Sequence, residues 1–274
     1  MTYHAGMMQI VPVLFLALFM LAPPVVAQAP STVSLEELTW TEVRDRVAAG
    51  ATTVLVPIGG TEQNGPHMTL GKHNVRAKVL AVKIAGALGN ALVAPVLAYA
   101  PEGGTNPPTS HMRFPGTITV PDAVFEAVLE SAARSLKLAG FRDIVLLGDH
   151  GGYQKDMRAA AARLNEEWRG SGARAHAIAE YYAVTQGAYA QALRDRGFGQ
   201  GEIGTHAGLA DTSLALAVDP GLVRSERLGS GAKPGAADGV YGDPRRASAE
   251  LGRIGTDLIV ARTVEAIRKA TARR

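Results

Sequence analysis

The sequence contains no cysteine among its 274 residues. Disulfide bonds, thiol chemistry, a cysteine-linked lipid anchor and a thiolate-bound metal are therefore excluded. Aromatic residues make up only 5% of the chain, charged residues 19%, and the formal net charge is +3. Because no run of lysine and arginine is interleaved with aromatic side chains, we expect no nucleic-acid partner.

One long apolar segment lies near the N-terminus, from Ile10 to Ala22. It is shorter than the roughly 20 residues that a membrane-spanning helix needs. Pro23-Pro24 and the small-residue stretch Val25-Val26-Ala27 follow it, which is typical of a cleaved signal peptide. We therefore predict that residues 1–27 are removed, that the mature chain is periplasmic or secreted, and that it has no stable membrane association. An uncleaved membrane anchor is the alternative.

The rest of the chain alternates short apolar runs with amphipathic stretches. Such alternation predicts βαβ units and a parallel sheet with helices on both faces. We expect one α/β domain over residues 28–274, built as a three-layer sandwich around a mostly parallel sheet. The predicted strands are 53–58, 91–97, 143–147 and 173–179, and the predicted helices are 35–49, 74–88, 121–138, 155–168, 182–196 and 245–272.

Three glycine-containing loops carry acids and imidazoles. The first holds Glu62 and His73, the second holds His150, and the third holds His206 and Asp211. In open α/β sheets, ligand sites gather in loops beyond the carboxyl ends of the strands. Nitrogen and oxygen ligands without thiolate suit zinc, manganese or iron. The loops therefore predict a divalent metal site, with zinc as the first expectation.

Three motifs in these loops resemble the signatures of the creatininase (creatinine amidohydrolase) family. They are Glu62-Gln63-Asn64-Gly65-Pro66-His67, Gly148-Asp149-His150-Gly151-Gly152, and His206-Ala207-Gly208 with Asp211-Thr212-Ser213. Phe114-Pro115-Gly116-Thr117-Ile118 and Gly239-Val240-Tyr241-Gly242-Asp243-Pro244 also resemble family segments. The resemblance implies an α/β sandwich, a two-metal centre, hydrolysis of an amide C–N bond and a homohexamer.

The chain departs from the family pattern at five positions. Asn64 stands where the first signature has histidine, and His73 stands where it has a metal-bridging aspartate. Gly148-Asp149 stands where the second signature has Asn-Gly before the histidine, and Asp211 replaces a glutamate. A neutral imidazole offers one free lone pair, whereas a carboxylate can bridge two cations. We therefore expect one tightly held metal, with a second weak one as the alternative.

From these motifs we predict Glu62, His73, His150 and Asp211 as metal ligands. His206 is the predicted proton donor to the leaving nitrogen, with Glu62 as the second catalytic residue, because an imidazole suits acid–base work at neutral pH. Asn64 and His111 are predicted to bind substrate, although a surface role for His111 is equally compatible with its loop. The role of Asp149 stays open.

The function predicted from these features is that of an exported metal-dependent amidohydrolase. It would cleave a C–N bond of a small, cyclic amide with metal-activated water. Two alternatives remain at this point. One is a non-catalytic periplasmic protein that binds a small molecule or metal on the same fold, and the other is a peptidase or lactonase that uses the same site.

Overall fold

The computed structural model describes residues 1–4, 32–228 and 233–272. The chain divides into two units, Met1–Pro30 and Ser31–Arg274, and the fold described below is that of the second. The apolar segment of the predicted signal peptide lies outside the described residues, so the export prediction stays a prediction. Within the described ranges, no helix has the length and apolar character required to cross a bilayer.

Four parallel strands form the central sheet, in the order β2-β1-β3-β4. The strands are β1 (Thr53–Ile58), β2 (Ala91–Val93), β3 (Asp143–Gly148) and β4 (Arg174–Ala177). Every residue of β1 and β3 is buried, as expected for strands covered on both faces. The predicted α/β fold with a parallel sheet is confirmed.

Helices connect and flank these strands. They are α1 (Trp40–Ala48), α2 (Lys72–Leu88), α3 (Asp122–Leu138), α4 (Gln154–Glu167), α5 (Glu180–Gln186), α6 (Ala188–Arg194), α7 (Gln200–Ile203), α8 (Leu209–Val218) and α9 (Ala249–Thr271). Alternate side chains of the sheet enter two separate cores. Leu55 and Val145 pack with α2, α5, α6, α8 and α9, whereas Val54 and Ile144 pack with α3 and α4. The period of two along each strand thus produces three layers.

The predicted first helix, 35–49, is wrong at its start. Leu35–Glu37 is a separate 3₁₀ turn, and the Ser34 side chain caps nothing. Helix α1 begins after Thr39, whose side chain accepts a hydrogen bond from the Glu42 amide while the Glu42 side chain accepts one from the Thr39 amide. This reciprocal pair satisfies two backbone donors at the helix end, so the cap lies at Thr39.

Three other predicted elements are too long. The strand predicted over 91–97 ends at Val93, since Pro95 has no N–H to continue a ladder. The helix predicted over 182–196 is two helices that meet at Gly187. The last helix begins at Ala249, where the Ser248 side chain accepts from the Leu251 amide. None of these changes moves the carboxyl ends of β1 and β3, where the candidate site lies.

Candidate metal centre

Four side chains converge beyond the carboxyl ends of β1 and β3. Glu62 follows β1, His150 follows β3, and Glu102 and His111 come from the segment between β2 and α3. Each offers one ligand atom, and these atoms all lie within 4.8 Å of one another. The His111 Nε2 atom is 3.2 Å from Glu62 Oε2, and the His150 Nε2 atom is 3.4 Å from the same oxygen. We call these four residues the metal cluster.

The carboxylates of the metal cluster are buried and incompletely satisfied. Glu62 is 0% exposed and Glu102 is 2% exposed. Within the described residues, Glu62 Oε2 and both carboxylate oxygens of Glu102 have no hydrogen-bond partner. A buried polar group without a partner is costly, and two carboxylates with two imidazoles are suitable ligands for a divalent cation. The residues therefore fit a single divalent metal ion.

The electrostatics of the two carboxyl groups agree with this fit. Burial, together with the neighbouring Glu62 charge, raises the pKa of Glu102 to about 9. Burial also opposes ionisation of Glu62, but the attraction of His150 and His73 holds its pKa well below the ordinary value. Burial lowers the pKa of His150 to about 4, so its imidazole is neutral and available as a ligand at neutral pH. A divalent cation would allow both carboxylates to ionise together.

The local backbone explains how the first two loops meet. Gly60 adopts φ +152°, and a Cβ at this position would collide with Glu102 Oε1, so only glycine lets the carboxylate approach. The Tyr153 hydroxyl lies 2.6 Å from the Gly59 carbonyl and accepts from the His150 amide at 3.1 Å. Tyr153 therefore ties the loop after β1 to the loop after β3.

A second group of charged residues lies beside the metal cluster. Arg76 from α2 contacts Asp149 after β3 and Asp211 in the first turn of α8. Lys72 from the same helix contacts Asp211. Arg76 donates to Asp149 Oδ2 and to Asp211 Oδ1, both at 2.8 Å. The pKa values of Asp149 and Asp211 are lowered despite burial, chiefly by Arg76 for the former and Lys72 for the latter. We call these four residues the ionic network.

The structure brings together some of the predicted metal ligands and not others. Glu62 and His150 belong to the metal cluster, and so does His111, which was predicted to bind substrate. His73 lies between the two groups: its Nε2 atom is 2.7 Å from Glu62 Oε1 and its Nδ1 atom is 2.6 Å from Asp149 Oδ2. Both carboxylate oxygens of Asp211 are engaged by cations, one by Lys72 and the other by Arg76. Metal ligation by His73 and Asp211 thus stays a prediction, without support from the cluster geometry.

His206 lines a cavity of about 330 Å³, together with Lys72, His111, His150 and Tyr182. Its Nε2 atom is 3.0 Å from the Gln63 carbonyl oxygen and 3.0 Å from the Gln63 side-chain nitrogen. Its Nδ1 atom lies 3.8 Å from Glu62 Oε1. Burial and the nearby Lys72 charge lower the pKa of His206 to about 3, so the resting ring is neutral.

Asn64 and His67 shape the first loop and are not part of the cavity wall. The Asn64 amide donates to the carbonyls of Glu62 and Thr69, at 2.9 and 3.1 Å. The His67 Nε2 atom is 2.9 Å from the Thr212 hydroxyl, consistent with a loop-orienting role. Substrate binding by Asn64 stays a prediction that this geometry does not favour, because Asn64 is completely buried.

Sequence reasoning missed Glu102, Lys72 and Arg76. Glu102 is the single acid in the Pro/Gly-rich stretch 98–118, and a lone carboxylate there was an available signal. Lys72 and Arg76 are four residues apart, a spacing that places side chains on one helix face. The predicted helix began at residue 74, two residues after the observed start at Lys72, so this pairing was not visible.

Comparison with known proteins identifies the family. The family model described as "Creatininase: Creatinine amidohydrolase" matches residues 36–267. Creatinine amidohydrolase of Pseudomonas putida is 31% identical over 207 residues, which cover 72% of this chain and 76% of that protein. Mycofactocin precursor peptide peptidase of Mycolicibacterium smegmatis is 29% identical over 220 residues, covering 73% and 77%.

Solved structures agree with the sequence matches. A crystal structure of creatinine amidohydrolase matches with a TM-score of 0.75 and 27% identity, over 89% of this chain and 100% of that one. "Creatininase Mn" matches at TM-score 0.72 and 28% identity, covering 87% and 98%. A mutant creatininase described as "Zn-Zn type" matches at TM-score 0.72 and 27% identity, covering 88% and 99%. Relatives thus contain manganese and zinc. The chain belongs to the creatininase family, as a metal-dependent amidohydrolase or peptidase.

Proposed function

We propose that this chain is an exported hydrolase that uses one divalent cation to cleave a C–N bond of a small amide, and that it acts as a homo-oligomer. The observation that carries the proposal is the metal cluster, in which Glu62 and Glu102 present unpartnered buried oxygens beside two imidazoles. His111 and His150 of this cluster also line the cavity, and so does His206, whose ring centroid is 4.7 Å from that of His111. A cation site and a proton-transfer group therefore share one small space.

Glu62, Glu102, His111 and His150 would hold the cation. When bound, it supplies Lewis-acid chemistry, activating water and polarising the carbonyl of the substrate. The protein holds the ligands in place before the cation binds. The Tyr153 hydroxyl accepts from the backbone amide of His150, and His73 contacts Oε1 of Glu62. Such outer contacts orient metal ligands.

His206 moves the proton that the reaction requires. Hydrolysis adds a water oxygen to the carbonyl carbon and breaks the C–N bond, and the departing nitrogen must gain a proton. Because His206 is neutral at rest, one ring nitrogen carries a lone pair, and the ring first accepts the proton that water loses. It then returns this proton to the nitrogen. Glu62 Oε1, at 3.8 Å from Nδ1, stabilises the transient positive charge.

The substrate is small, and we propose a cyclic amide. The cavity volume of about 330 Å³ lies at the lower end of the range for small-molecule sites. Tyr182, Thr205 and Tyr241 contribute to its wall. Their hydroxyl groups can hydrogen-bond a compact polar ring, and the tyrosine rings supply apolar contact.

Peptide hydrolysis is the second candidate. It is favoured by the relative named as a mycofactocin precursor peptide peptidase, at 29% identity. The same cation and the same His206 would serve a peptide bond, because the reacting groups are identical. A non-catalytic binding protein is less well supported, since binding alone requires no proton-transfer group at the position of His206.

A hydrolysis screen of the metal-loaded protein tests the proposal. Protein reconstituted with zinc or manganese should cleave at least one compound among lactams, hydantoins and formamides faster than short peptides. Chelator-treated protein is the matched control and should be inactive. Faster cleavage of the peptides would favour the second candidate, and bound metal without turnover of any compound would favour a binding protein.

Export is proposed from the N-terminal sequence alone. The apolar segment Ile10 to Ala22 followed by Val25-Val26-Ala27 is typical of a signal peptide, so the mature protein should begin at Gln28. N-terminal sequencing of protein recovered from the periplasm or medium of an expressing bacterium measures this directly. A mature protein that retains Met1, Met7 or Met8 would contradict the prediction.

A further inference from the structure

Two cationic side chains of α2 are buried deep in the protein. Lys72 is 1% exposed and Arg76 is 3% exposed. They are four residues apart and therefore lie on the same helix face. Lysine and arginine are almost never fully buried unless they are paired, so their partners indicate why this chain retains them.

The partners of these cations are Asp211, which was predicted as a metal ligand, and Asp149, which stands where the family signature has glycine. Arg76 bridges Asp149 and Asp211. Lys72 contacts the second oxygen of Asp211, which also accepts from the Ala207 amide at 3.1 Å. The Tyr181 hydroxyl donates to the second oxygen of Asp149 at 3.0 Å. Every carboxylate oxygen of the ionic network thus has a donor, in contrast to those of Glu102.

His73 is occupied in the same way. Its two ring nitrogens lie 2.7 Å from Glu62 and 2.6 Å from Asp149. The Nδ1 atom also lies 3.2 Å from Arg76 Nη2, a group that can only donate. Both ring nitrogens of the residue that stands in the place of a metal-bridging aspartate are therefore engaged by protein groups.

We propose that Lys72 and Arg76 take the place of a second metal ion, so that the centre binds one divalent cation through Glu62, Glu102, His111 and His150. The charges support this assignment. The two cations match the charges of Asp149 and Asp211, which leaves Glu62 and Glu102 as two carboxylates for one ion of charge +2. The inference rests on the proposed metal site, but not on the identity of the substrate.

The departures from the family signatures at His73 and Asp149 then have one common effect. Replacing a bridging carboxylate by His73 removes ligands for a second ion, and Asp149 adds an anion that Arg76 neutralises. Covalently attached cations cannot be removed by a chelator. The ionic network would keep this side of the cavity intact when the single metal ion dissociates.

Metal stoichiometry tests the inference without any activity measurement. Chelator-stripped wild-type protein, dialysed against zinc at a small excess and analysed by plasma mass spectrometry, should hold one zinc ion per chain. Two tightly held ions would overturn the inference while leaving the proposed hydrolase intact. Complete absence of bound zinc would overturn both.

Paired variants assign the ligands. Glu102→Gln should weaken zinc affinity at least about tenfold, since even outer contacts of a metal site are worth about 10- to 100-fold. Asp211→Asn should bind zinc as the wild type does, and Glu36→Gln on the exposed surface is the matched control. Equal losses of affinity in Asp211→Asn and Glu102→Gln would make Asp211 a ligand and overturn the inference.

A third variant tests the cation itself. Lys72→Ala removes one partner of Asp211, so the stripped variant should hold more than one zinc ion per chain after the same dialysis, whereas the wild type should hold one. Lys78→Ala, on the exposed face of the same helix, should behave as the wild type does. A Lys72→Ala protein that holds a single zinc ion would show that Lys72 does not exclude a second ion. If this variant does not fold, the wild-type stoichiometry and Asp211→Asn still decide.

Discussion

His150→Ala should purify with little bound metal and without measurable hydrolysis. The substitution removes one of four ligands from a buried cluster, and the vacated position opens the site. The lost ligand is available to a cation at neutral pH, because burial lowers the pKa of His150 to about 4 and keeps the imidazole neutral. Loss of the cation removes an effect of several kcal/mol, which corresponds to a fall in rate of about 10³-fold or more.

The matched control is His176→Ala. His176 lies on β4, and its Nε2 atom is 3.0 Å from Asp143 at the beginning of β3, whereas the metal cluster lies beyond the end of that strand. This variant should keep its metal and its turnover, with any effect limited to stability. Metal content by plasma mass spectrometry and turnover should be measured on both proteins. Normal metal content in His150→Ala would remove this residue from the metal cluster.

The sequence predicted the positions of β1 and β3 because each is a short apolar run. The first ends directly before Gly59 and the second ends at Gly148. Glu62 and His150 were found for the same reason, since residues beyond parallel strands meet at one edge of the sheet. The boundaries that failed depend on contacts that the pattern does not contain. The reciprocal hydrogen bonds of Thr39 and Glu42, for example, decided the start of α1 against a cap at Ser34.

Glu102 shows why part of the candidate site was not predictable. Its carboxylate enters the metal cluster only because Gly60, 42 positions earlier in the chain, leaves room for it. A contact of that kind depends on how two loops pack and has no local periodicity. Reasoning from one chain could at most note an isolated acid in a loop that already carried His111.

His73 and Asp211 illustrate a different limit. An aspartate or histidine near a predicted metal site can act either as a metal ligand or as the partner of a buried lysine or arginine. The residue type is the same in both cases, and only the position of Lys72 and Arg76 separates them. Those two side chains became informative once α2 was found to begin at Lys72.

His206→Ala should reduce turnover about 10²- to 10⁴-fold, the usual contribution of one general acid–base group. Metal content should stay near that of the wild type, because His206 is not among the four residues whose ligand atoms converge. The ring is held by its contact with the Gln63 carbonyl, and burial keeps it neutral with a pKa of about 3. Its removal therefore costs proton transfer and leaves the cation site in place.

The pair His206→Ala and His150→Ala separates proton transfer from metal binding. Turnover and bound zinc should be measured on both variants in the same preparation series, with the metal-loaded wild type as reference. A His206→Ala protein that loses zinc as severely as His150→Ala would make His206 a ligand. Full turnover in His206→Ala would remove this residue from the mechanism and assign the proton transfer to solvent, because, among the residues that the structure describes, no other predicted proton donor lines the cavity beside Glu62.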